Sequence, residues 1–202
     1  MYQKLFEHLW EDYLQQNPET KKVYDLFVSE GEEVINDHIA FRTFDHPKVS
    51  IEVLAKPFIE AGYEKKGTYH FEAKKLIAHH YEHKEDVDAP KVFISALQPQ
   101  FFSDFVQRTV EELVERIPDD FNSAPDFLWS GSPWGIPDYN KYLRLREESE
   151  YAAWLYVYGY RANHFTVNIN ALNKHQDIYK LNQFLRDNGF DILESGGEVK
   201  GA

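Results

Sequence analysis

The sequence predicts an α+β protein made of two βαβββ modules with added helices, the second module being incomplete. The first observation behind this prediction is a repeat. Residues 36–44 and 162–170 each hold a histidine, His38 or His164, followed by apolar residues at alternate positions, the period of a strand with one buried face. The second observation is that a helical stretch follows each strand and ends at a glycine. The histidines are 126 residues apart (164 − 38) and the glycines 127 (189 − 62), which favours an internal duplication.

The composition is that of a soluble globular protein with an acidic surface. The 202 residues are 43% hydrophobic and 16% aromatic, enough to bury a substantial core. A net charge of −12 and a pI near 5.2 argue against nucleic acid or an anionic membrane as a main partner, because both attract basic surfaces. The chain has no cysteine, so a metal would rest on His, Asp and Glu, ligands that suit zinc, iron, manganese or nickel.

Neither a signal peptide nor a membrane span is predicted. Residues 2–14 mix acids with apolar residues and lack the basic-then-apolar order of a signal peptide. The longest apolar run, residues 151–160, is too short to cross a bilayer. We therefore expect a cytoplasmic protein.

The first half of the chain divides into two N-terminal helices and a complete module. Apolar residues at helical spacing predict both helices within residues 1–33, and the first should end before the Asn17-Pro18 pair. The first module covers residues 34–98. Its predicted elements are a strand at 36–44, a helix at 49–61 and strands at 63–71, 75–83 and 92–97.

Residues 99–160 are predicted to connect the modules, and residues 161–202 to form the partial second module, all within one domain, 1–202. The connection holds helices at 101–117, 139–146 and 149–158, and an aromatic, proline-rich stretch at 118–137 that should pack on the body through Phe127, Trp129 and Trp134. The second module holds the strand of His164, a helix at 176–188 and a strand candidate at 190–194.

His38 and His164 are the candidate metal ligands. In a duplicated unit, one imidazole from each module can point at a shared cavity. A structural role is the alternative for a lone strand histidine, and the matching positions of the two favour the metal. Two imidazoles hold a catalytic metal poorly, and the common facial triad adds a carboxylate. No carboxylate of this sequence occupies an obviously equivalent place.

Arg42 is the candidate clamp for an acid. It follows His38 by four residues, so the strand period puts both on one face with α-carbons about 13 Å apart. A guanidinium flanked by Phe41 and Phe44 on a cavity-lining strand is typical of a bidentate carboxylate site. The alternative is an arginine at the rim, paired with one of the many surface acids.

Three further histidines, His79, His80 and His83, lie in one predicted strand. Alternation puts His79 with His83 on one face and His80 with Glu82 on the other. We interpret them as polar positions of an outer strand, with support of the metal ligands or a separate zinc site as the alternatives. Their role stays open at this point.

The same stretches resemble a known family. The residues concerned are Asp37-His38-x-x-x-Arg42-Thr43, residues 75–83, residues 91–95 and Gly159-Tyr160-Arg161-Ala162-Asn163-His164-Phe165-Thr166-Val167. Together they look like the 2-oxoadipate dioxygenase/decarboxylase family, which has the vicinal-oxygen-chelate, or glyoxalase-like, architecture. The resemblance covers essentially the whole chain, and the last stretch is the most specific.

The resemblance implies an iron(II) enzyme that converts 2-oxoadipate and O₂ to 2-hydroxyglutarate with loss of CO₂, a step of lysine catabolism. It implies that His38 and His164 bind the iron and that Arg42, with His38 nearby, contacts the oxo acid. The family's third ligand is a glutamate on a late strand of the second module, expected beyond Ala202. Glu198 is not that residue, because it precedes the missing strands. We therefore interpret the chain as a shortened form of a longer protein, with impaired catalysis.

Two other functions stay open. A glyoxalase-type isomerase, lyase or hydrolase would use the same fold with zinc or nickel and without oxygen chemistry, and a non-catalytic module would only bind a small acid. Metal preference separates the first from an oxygenase, because the oxygenase should prefer iron(II) and consume O₂. The exact 2-oxo acid, the stereochemistry of the product and the oligomeric state are not predictable from the sequence.

Overall fold

The computed structural model describes residues 2–193 and 197–199, and within them seven α-helices accompany one five-stranded sheet. The helices are α1 (Tyr2–Gln16), α2 (Pro18–Ser29), α3 (Ile51–Glu60), α4 (Asp104–Glu115), α5 (Tyr139–Glu148), α6 (Glu150–Tyr158) and α7 (Ile178–Asp187). The strands are β1 (Asn36–Phe44), β2 (Tyr63–Phe71), β3 (Leu76–His83), β4 (Lys91–Leu97) and β5 (His164–Val167). From α3 to α7 the helices begin and end within three residues of the predicted bounds.

Serine side chains fix where three of these helices begin. Ser50, Ser103 and Ser149 are the N-caps of α3, α4 and α6, and each hydroxyl accepts a backbone N–H of the first turn. Such a cap satisfies one of the N–H groups that have no partner inside the helix. The predicted N-cap at Ser149 is thereby confirmed, with a distance of 3.1 Å to the Ala152 nitrogen.

The sheet confirms the predicted fold class. Its strand order is β2-β3-β4-β1-β5, with β1 parallel to β4 and the remaining neighbours antiparallel. The first module is thus a βαβββ unit in which α3 is the crossover after β1. The first strand of the second module, β5, pairs with β1, so the matching strands of the repeat are neighbours in space.

Alternation along the strands divides the sheet into a core face and a cavity face. Ile39, Phe41 and Ile94 point into the core, where Phe58 of α3 packs on Phe41. Residues of the opposite parity line a cavity instead, and they include His38, Ala40 and Arg42 of β1 and Phe93 and Ser95 of β4. The period of two therefore places every polar candidate of β1 on the cavity side.

The second module has less strand than predicted. β5 ends at Val167, because the Asn168 side chain accepts the Asn170 N–H at 3.2 Å and starts a 3₁₀ turn over Ile169–Ala171. The strand predicted at 190–194 is wrong for residues 190–193, which have no regular structure, and Glu194 lies outside the described residues. A strand needs a paired neighbour, and Leu193 is 75% exposed.

The aromatic connection packs on the body as predicted. Phe127 and Trp134 are 2% and 6% exposed, and Trp129 contacts the same core. The Trp134 indole N–H donates to the Tyr156 carbonyl at 2.8 Å, which satisfies its polar end. Within the described ranges, no helix has the length and apolar character required to cross a membrane.

Candidate active site

The two strand histidines meet at the junction of the two modules. His38 lies near the start of β1, and His164 is the first residue of β5, opposite Ala40 in the antiparallel pair. Their side chains point to the cavity face, and the two Nε2 atoms are 3.4 Å apart. The two histidines that match in the sequence repeat therefore face one another in the structure.

The other ring nitrogen of His38 is held by two side chains. Nδ1 lies 2.7 Å from a carboxylate oxygen of Asp37 and 3.0 Å from the hydroxyl of Thr166. The same hydroxyl accepts the His38 backbone N–H at 3.0 Å, so Thr166 of β5 fixes both ends of the residue. A carboxylate at Nδ1 selects the tautomer with the proton on Nδ1 and leaves the Nε2 lone pair free.

His164 is arranged in the same way with a neutral partner. Its Nδ1 lies 3.0 Å from the side-chain oxygen of Asn163, which again leaves the Nε2 lone pair free. Burial lowers the pKa of the His164 imidazole to about 4, and the nearby His38 and Arg42 add to the effect. At neutral pH the ring is uncharged, the form in which an imidazole can bind a metal.

The pair fits two ligands of one metal ion. Two nitrogens at about 2.0–2.1 Å from a shared ion, at an angle near 90–110°, lie about 3–3.4 Å apart, as the two Nε2 atoms do here. Each ring is also oriented through its other nitrogen, as metal-binding histidines usually are. Among the residues that the structure describes, no group of three or more His, Asp or Glu side chains gathers to hold a metal.

Arg42 lies on the same cavity face and has its guanidinium between two aromatic rings. The guanidinium carbon is 4.9 Å from the ring centre of Tyr151 and 4.7 Å from that of Trp154, both on α6. Within the described residues the side chain makes no hydrogen bond or ion pair. Burial lowers the pKa of the guanidinium, although an arginine stays charged at any ordinary pH. A half-buried cation with unused donors is a strong site for an anion.

The tyrosine beneath Arg42 ties α6 to the sheet. The hydroxyl of Tyr151 donates to the Ser95 carbonyl at 2.6 Å and accepts the Thr43 N–H at 3.1 Å. Burial raises the pKa of this phenol, so it stays protonated. Tyr151 therefore holds the aromatic surface on which the guanidinium lies.

These side chains surround one cavity of about 1140 Å³. His38, His164 and Asn163 lie at one end, and Arg42, Tyr151 and Trp154 form a second wall. β2, β3 and the turn between them contribute a further part of the lining: Tyr69, Phe71, Ala73, Lys74, Lys75, Leu76 and Ala78. All three candidate site residues of the sequence analysis thus share a single cavity.

Sequence reasoning missed the rings that surround Arg42. Phe41 and Phe44 were predicted to flank it, but both are buried at 1% exposure in the core, and the contacting rings are Tyr151 and Trp154. Helix α6 is more than a hundred residues away in sequence, so no local pattern could indicate this contact. Asp37, Asn163 and Thr166 were also missed, although the first two directly precede a candidate histidine.

The other candidates lie elsewhere. His79 is buried on the core face, 3.8 Å from Glu52, and burial lowers its pKa. The His83 ring accepts the backbone N–H of Asp86 at 3.0 Å, whereas His80 belongs to the cavity face and stacks on Phe93. These three histidines therefore do not form one cluster.

Glu198, which the sequence analysis set aside, lies near the end of the described residues. Its carboxylate accepts hydrogen bonds from Arg186 and Asn182, both at 2.9 Å. These contacts hold the carboxylate against α7 and not against the two cavity histidines.

The chain matches one family along its whole length. The model of the 2-oxoadipate dioxygenase/decarboxylase family matches residues 1–124 and 122–202. The chloroplastic 2-oxoadipate dioxygenase/decarboxylase of Arabidopsis thaliana is 34% identical over an alignment of 201 positions, which covers 93% of this chain and 54% of that protein. The chain spans about half the length of the curated relatives it matches, 54% and 55%.

Solved structures share the fold. A Shewanella frigidimarina protein is 46% identical with a TM-score of 0.94, over 99% of this chain and 78% of that one. The hydroxyglutarate synthase of Oryza sativa, solved in complex with 2-oxoadipate, is 32% identical with a TM-score of 0.90, over 97% and 67%. A glyoxalase-superfamily structure from Ralstonia eutropha, at 20% identity and a TM-score of 0.77 over 92% and 65%, supports the fold alone.

Proposed function

Because the chain belongs to the 2-oxoadipate dioxygenase/decarboxylase family, we propose that it serves the iron(II)- and oxygen-dependent conversion of 2-oxoadipate to 2-hydroxyglutarate and CO₂, a step of lysine catabolism. The observation that carries the proposal is the pair of Nε2 atoms 3.4 Å apart. The same cavity also holds the Arg42 guanidinium, which has no hydrogen-bond or ion-pair partner among the described residues. A 2-oxo diacid fits such a cavity, because its 2-oxo acid group can bind a metal and a carboxylate can bind the guanidinium. The reaction is balanced without further reagents, since 2-oxoadipate and O₂ together contain the atoms of both products.

His38 and His164 would hold the iron. Bound there, iron(II) would accept the carboxylate and ketone oxygens of a 2-oxo acid and activate O₂ beside them. The described residues supply two imidazoles, and a third ligand of carboxylate type stays a prediction. Asp37, Thr166 and Asn163 would keep the two rings in their tautomers and orientations.

Arg42 would bind a carboxylate of the substrate. Its two neighbouring rings restrict the side chain before the ligand arrives, so less conformational entropy is lost on binding. The planar fork of the guanidinium matches the two oxygens of a carboxylate. In a protein with a net charge of −12, such a local cation is needed to attract a dianion.

Besides Arg42, the cavity lining holds two lysines and two glutamates. Lys74 and Lys75 lie on its rim at the turn after β2, and Glu148 and Glu150 lie near α6. The Lys75 ammonium is 4.3 Å from the ring centre of Phe102, so it is partly engaged already. Lys75 also donates to the Phe101 carbonyl, whereas Arg42 has no such partner among the described residues, so Arg42 is the better candidate of the two to bind the acid. Lys74 would be a second cation of the lining.

Oxygen uptake tests the proposal. Protein reconstituted with iron(II) should consume O₂ when 2-oxoadipate is added and release CO₂ in equal amount, with 2-hydroxyglutarate as the product. Zinc- or nickel-loaded protein is the control, because neither metal supports this oxygen chemistry. Turnover of a 2-oxo acid or its adduct by the zinc form, without O₂ uptake by the iron form, would instead indicate a glyoxalase-type enzyme.

A further inference from the structure

Tyr69 lies on an edge strand, yet side chains of the neighbouring strands hold it in place. It belongs to the edge strand β2, most of whose residues after Tyr63 are exposed. Its hydroxyl nevertheless lies 2.9 Å from Nδ1 of His80, and Nε2 of His80 lies 3.2 Å from a carboxylate oxygen of Glu82. The His80 ring also stacks on Phe93, with ring centres 5.2 Å apart and an angle of 20°. A carboxylate, an imidazole and a phenol thus form one chain that fixes the Tyr69 ring.

A glycine makes room for this chain. Gly67 lies opposite His80 in the pairing of β2 with β3, beside an irregularity between Lys65 and Gly67. A Cβ at Gly67 would lie 2.8 Å from Nδ1 of His80 and 3.0 Å from the Tyr69 hydroxyl. Any larger residue would therefore push the two groups apart.

The pairing of the strands puts Tyr69 in one row with Arg42. Tyr69 pairs with Ala78, Ala78 with Ser95, and Ser95 with Arg42. Three strand spacings separate the two end residues, about 14 Å between α-carbons. The two residues between them have small side chains, and both line the cavity. The row is thus a low floor between two long side chains.

The next row begins one strand further along the sheet, at His80, and ends at the metal-site histidine His164. His80 pairs with Phe93, Phe93 with Ala40, and Ala40 with His164. Phe93 separates His80 from His38, whose ring centre is 5.2 Å away from that of Phe93. The Phe93 ring therefore lies between the polar groups near Tyr69 and the two imidazoles of the candidate metal site.

We infer that Tyr69 is the end wall of the acid-binding cavity and determines the chain length of the acid that it accepts. The inference rests on the proposed function, since it takes the ligand to be a 2-oxo diacid. With one end of the acid at Arg42 and His164, its methylenes would lie over Ala78 and Ser95. They would then meet the Tyr69 ring, which is 40% exposed and is held in this position by its hydrogen bond to His80. His80, Glu82 and Gly67 act through Tyr69, as positioning residues. One methylene group in such a cavity changes affinity by about 10- to 200-fold.

Calorimetry with a series of acids tests the inference. The 202-residue chain is loaded with manganese(II), which does not consume the acid, and titrated with 2-oxo diacids of five to eight carbons. Wild type should prefer six carbons. In Tyr69→Ala the affinity for the eight-carbon acid relative to the six-carbon acid should rise by about tenfold or more. Gly67→Ala, which keeps every functional side chain, should also change this ratio, and Tyr179→Ala, an exposed tyrosine on α7, should not.

The possible results separate the inference from the proposed function. Suppose that wild type binds the six-carbon acid, and that the ratio of eight-carbon to six-carbon affinity in both Tyr69→Ala and Gly67→Ala stays within twofold of the wild-type ratio. The inference is then overturned, and the proposed function stands. If folded wild type binds none of the acids, the proposed function fails and the inference fails with it. Circular dichroism of each variant confirms that the ratios come from folded protein.

Discussion

The two imidazoles of the candidate site are supported by very different structure. His38 lies on β1, which is paired with β4 over seven residues and with β5 on its other side. His164 lies on β5, a strand of four half-buried residues at the edge of the described sheet. The sheet itself therefore positions the first histidine, whereas the second depends on the residues that lead into its strand.

Those residues form an anchoring segment, 159–163. Tyr160 exchanges two backbone hydrogen bonds with Gly131, at 2.8 and 3.0 Å, and the Asn163 N–H donates to the Ala40 carbonyl at 2.7 Å. Arg161 lies 3.6 Å from Asp12 of α1, with both side chains 15% exposed. This segment positions His164, as strand pairing positions His38.

The largest expected effect is on metal uptake. Measuring it tests whether the two histidines are equal ligands. His38→Ala and His164→Ala should each reduce iron(II) or manganese(II) binding far below that of wild type, because two imidazoles hold such an ion only weakly and a single one does not hold it. His79→Ala, on the core face, should bind the metal as wild type does. Equilibrium dialysis followed by metal analysis measures the bound metal. If His164→Ala retained the metal as wild type does, the edge-strand histidine would not be a ligand.

The next effect is on stability and concerns the anchoring segment. Gly159 has φ +64° and ψ −141°, a region that essentially only glycine adopts, and a Cβ there would lie 2.1 Å from the Gly131 carbonyl oxygen. Gly159→Ala should therefore lower the free energy of unfolding by about 3 kcal/mol or more, from backbone strain and overlap together. Urea denaturation measures it.

Gly189 provides the matched control for this substitution. It also has a positive φ, +87°, but a Cβ there would meet nothing within 4 Å. Gly189→Ala should cost only about 1–2 kcal/mol, the strain of the left-handed conformation alone. Equal losses in the two variants would contradict the view that the Gly131–Gly159 contact anchors the second module.

The third effect is on acid binding and concerns the residue that joins the two regions. Arg42 lies on β1, but the rings that hold it belong to α6, just before the anchoring segment. Arg42→Lys keeps the charge and loses the planar fork, so 2-oxoadipate binding should weaken by about 1.5–3 kcal/mol, the contribution of a hydrogen bond to a charged group. The metal content should not change.

Arg144 is the control for this change, because it also stacks on an aromatic ring, 3.7 Å from the centre of Phe105, but outside the cavity. Arg144→Lys should leave 2-oxoadipate binding as it is in wild type. If calorimetry gave the same affinity for Arg42→Lys and wild type, another residue would have to be the clamp.

The same contrast explains what the sequence could predict. The whole first module follows from alternation and helical spacing, which are local patterns, and its strand β1 was predicted at its observed bounds. The meeting of His38 with His164 was predictable because the two residues occupy matching positions in a repeat, and each copy of the repeat is recognisable from its own local sequence. The rings around Arg42 and the short β5 were not predictable, since they depend on contacts between distant segments and on the turn that Asn168 makes.

The smallest expected effect compares the partners of the two ring nitrogens. His38 has two partners at Nδ1, Asp37 and Thr166, whereas Asn163 is the partner of His164 at 3.0 Å. Asn163→Ala should therefore weaken manganese(II) binding by about tenfold or more, the usual cost of losing such a partner. Asp37→Asn should cost less, because Thr166 still restrains the ring. Competition with a fluorescent chelator measures both affinities. A larger loss in Asp37→Asn than in Asn163→Ala would show that the carboxylate, and not the number of partners, governs ligand orientation, and that the edge-strand histidine needs no more support than the central one.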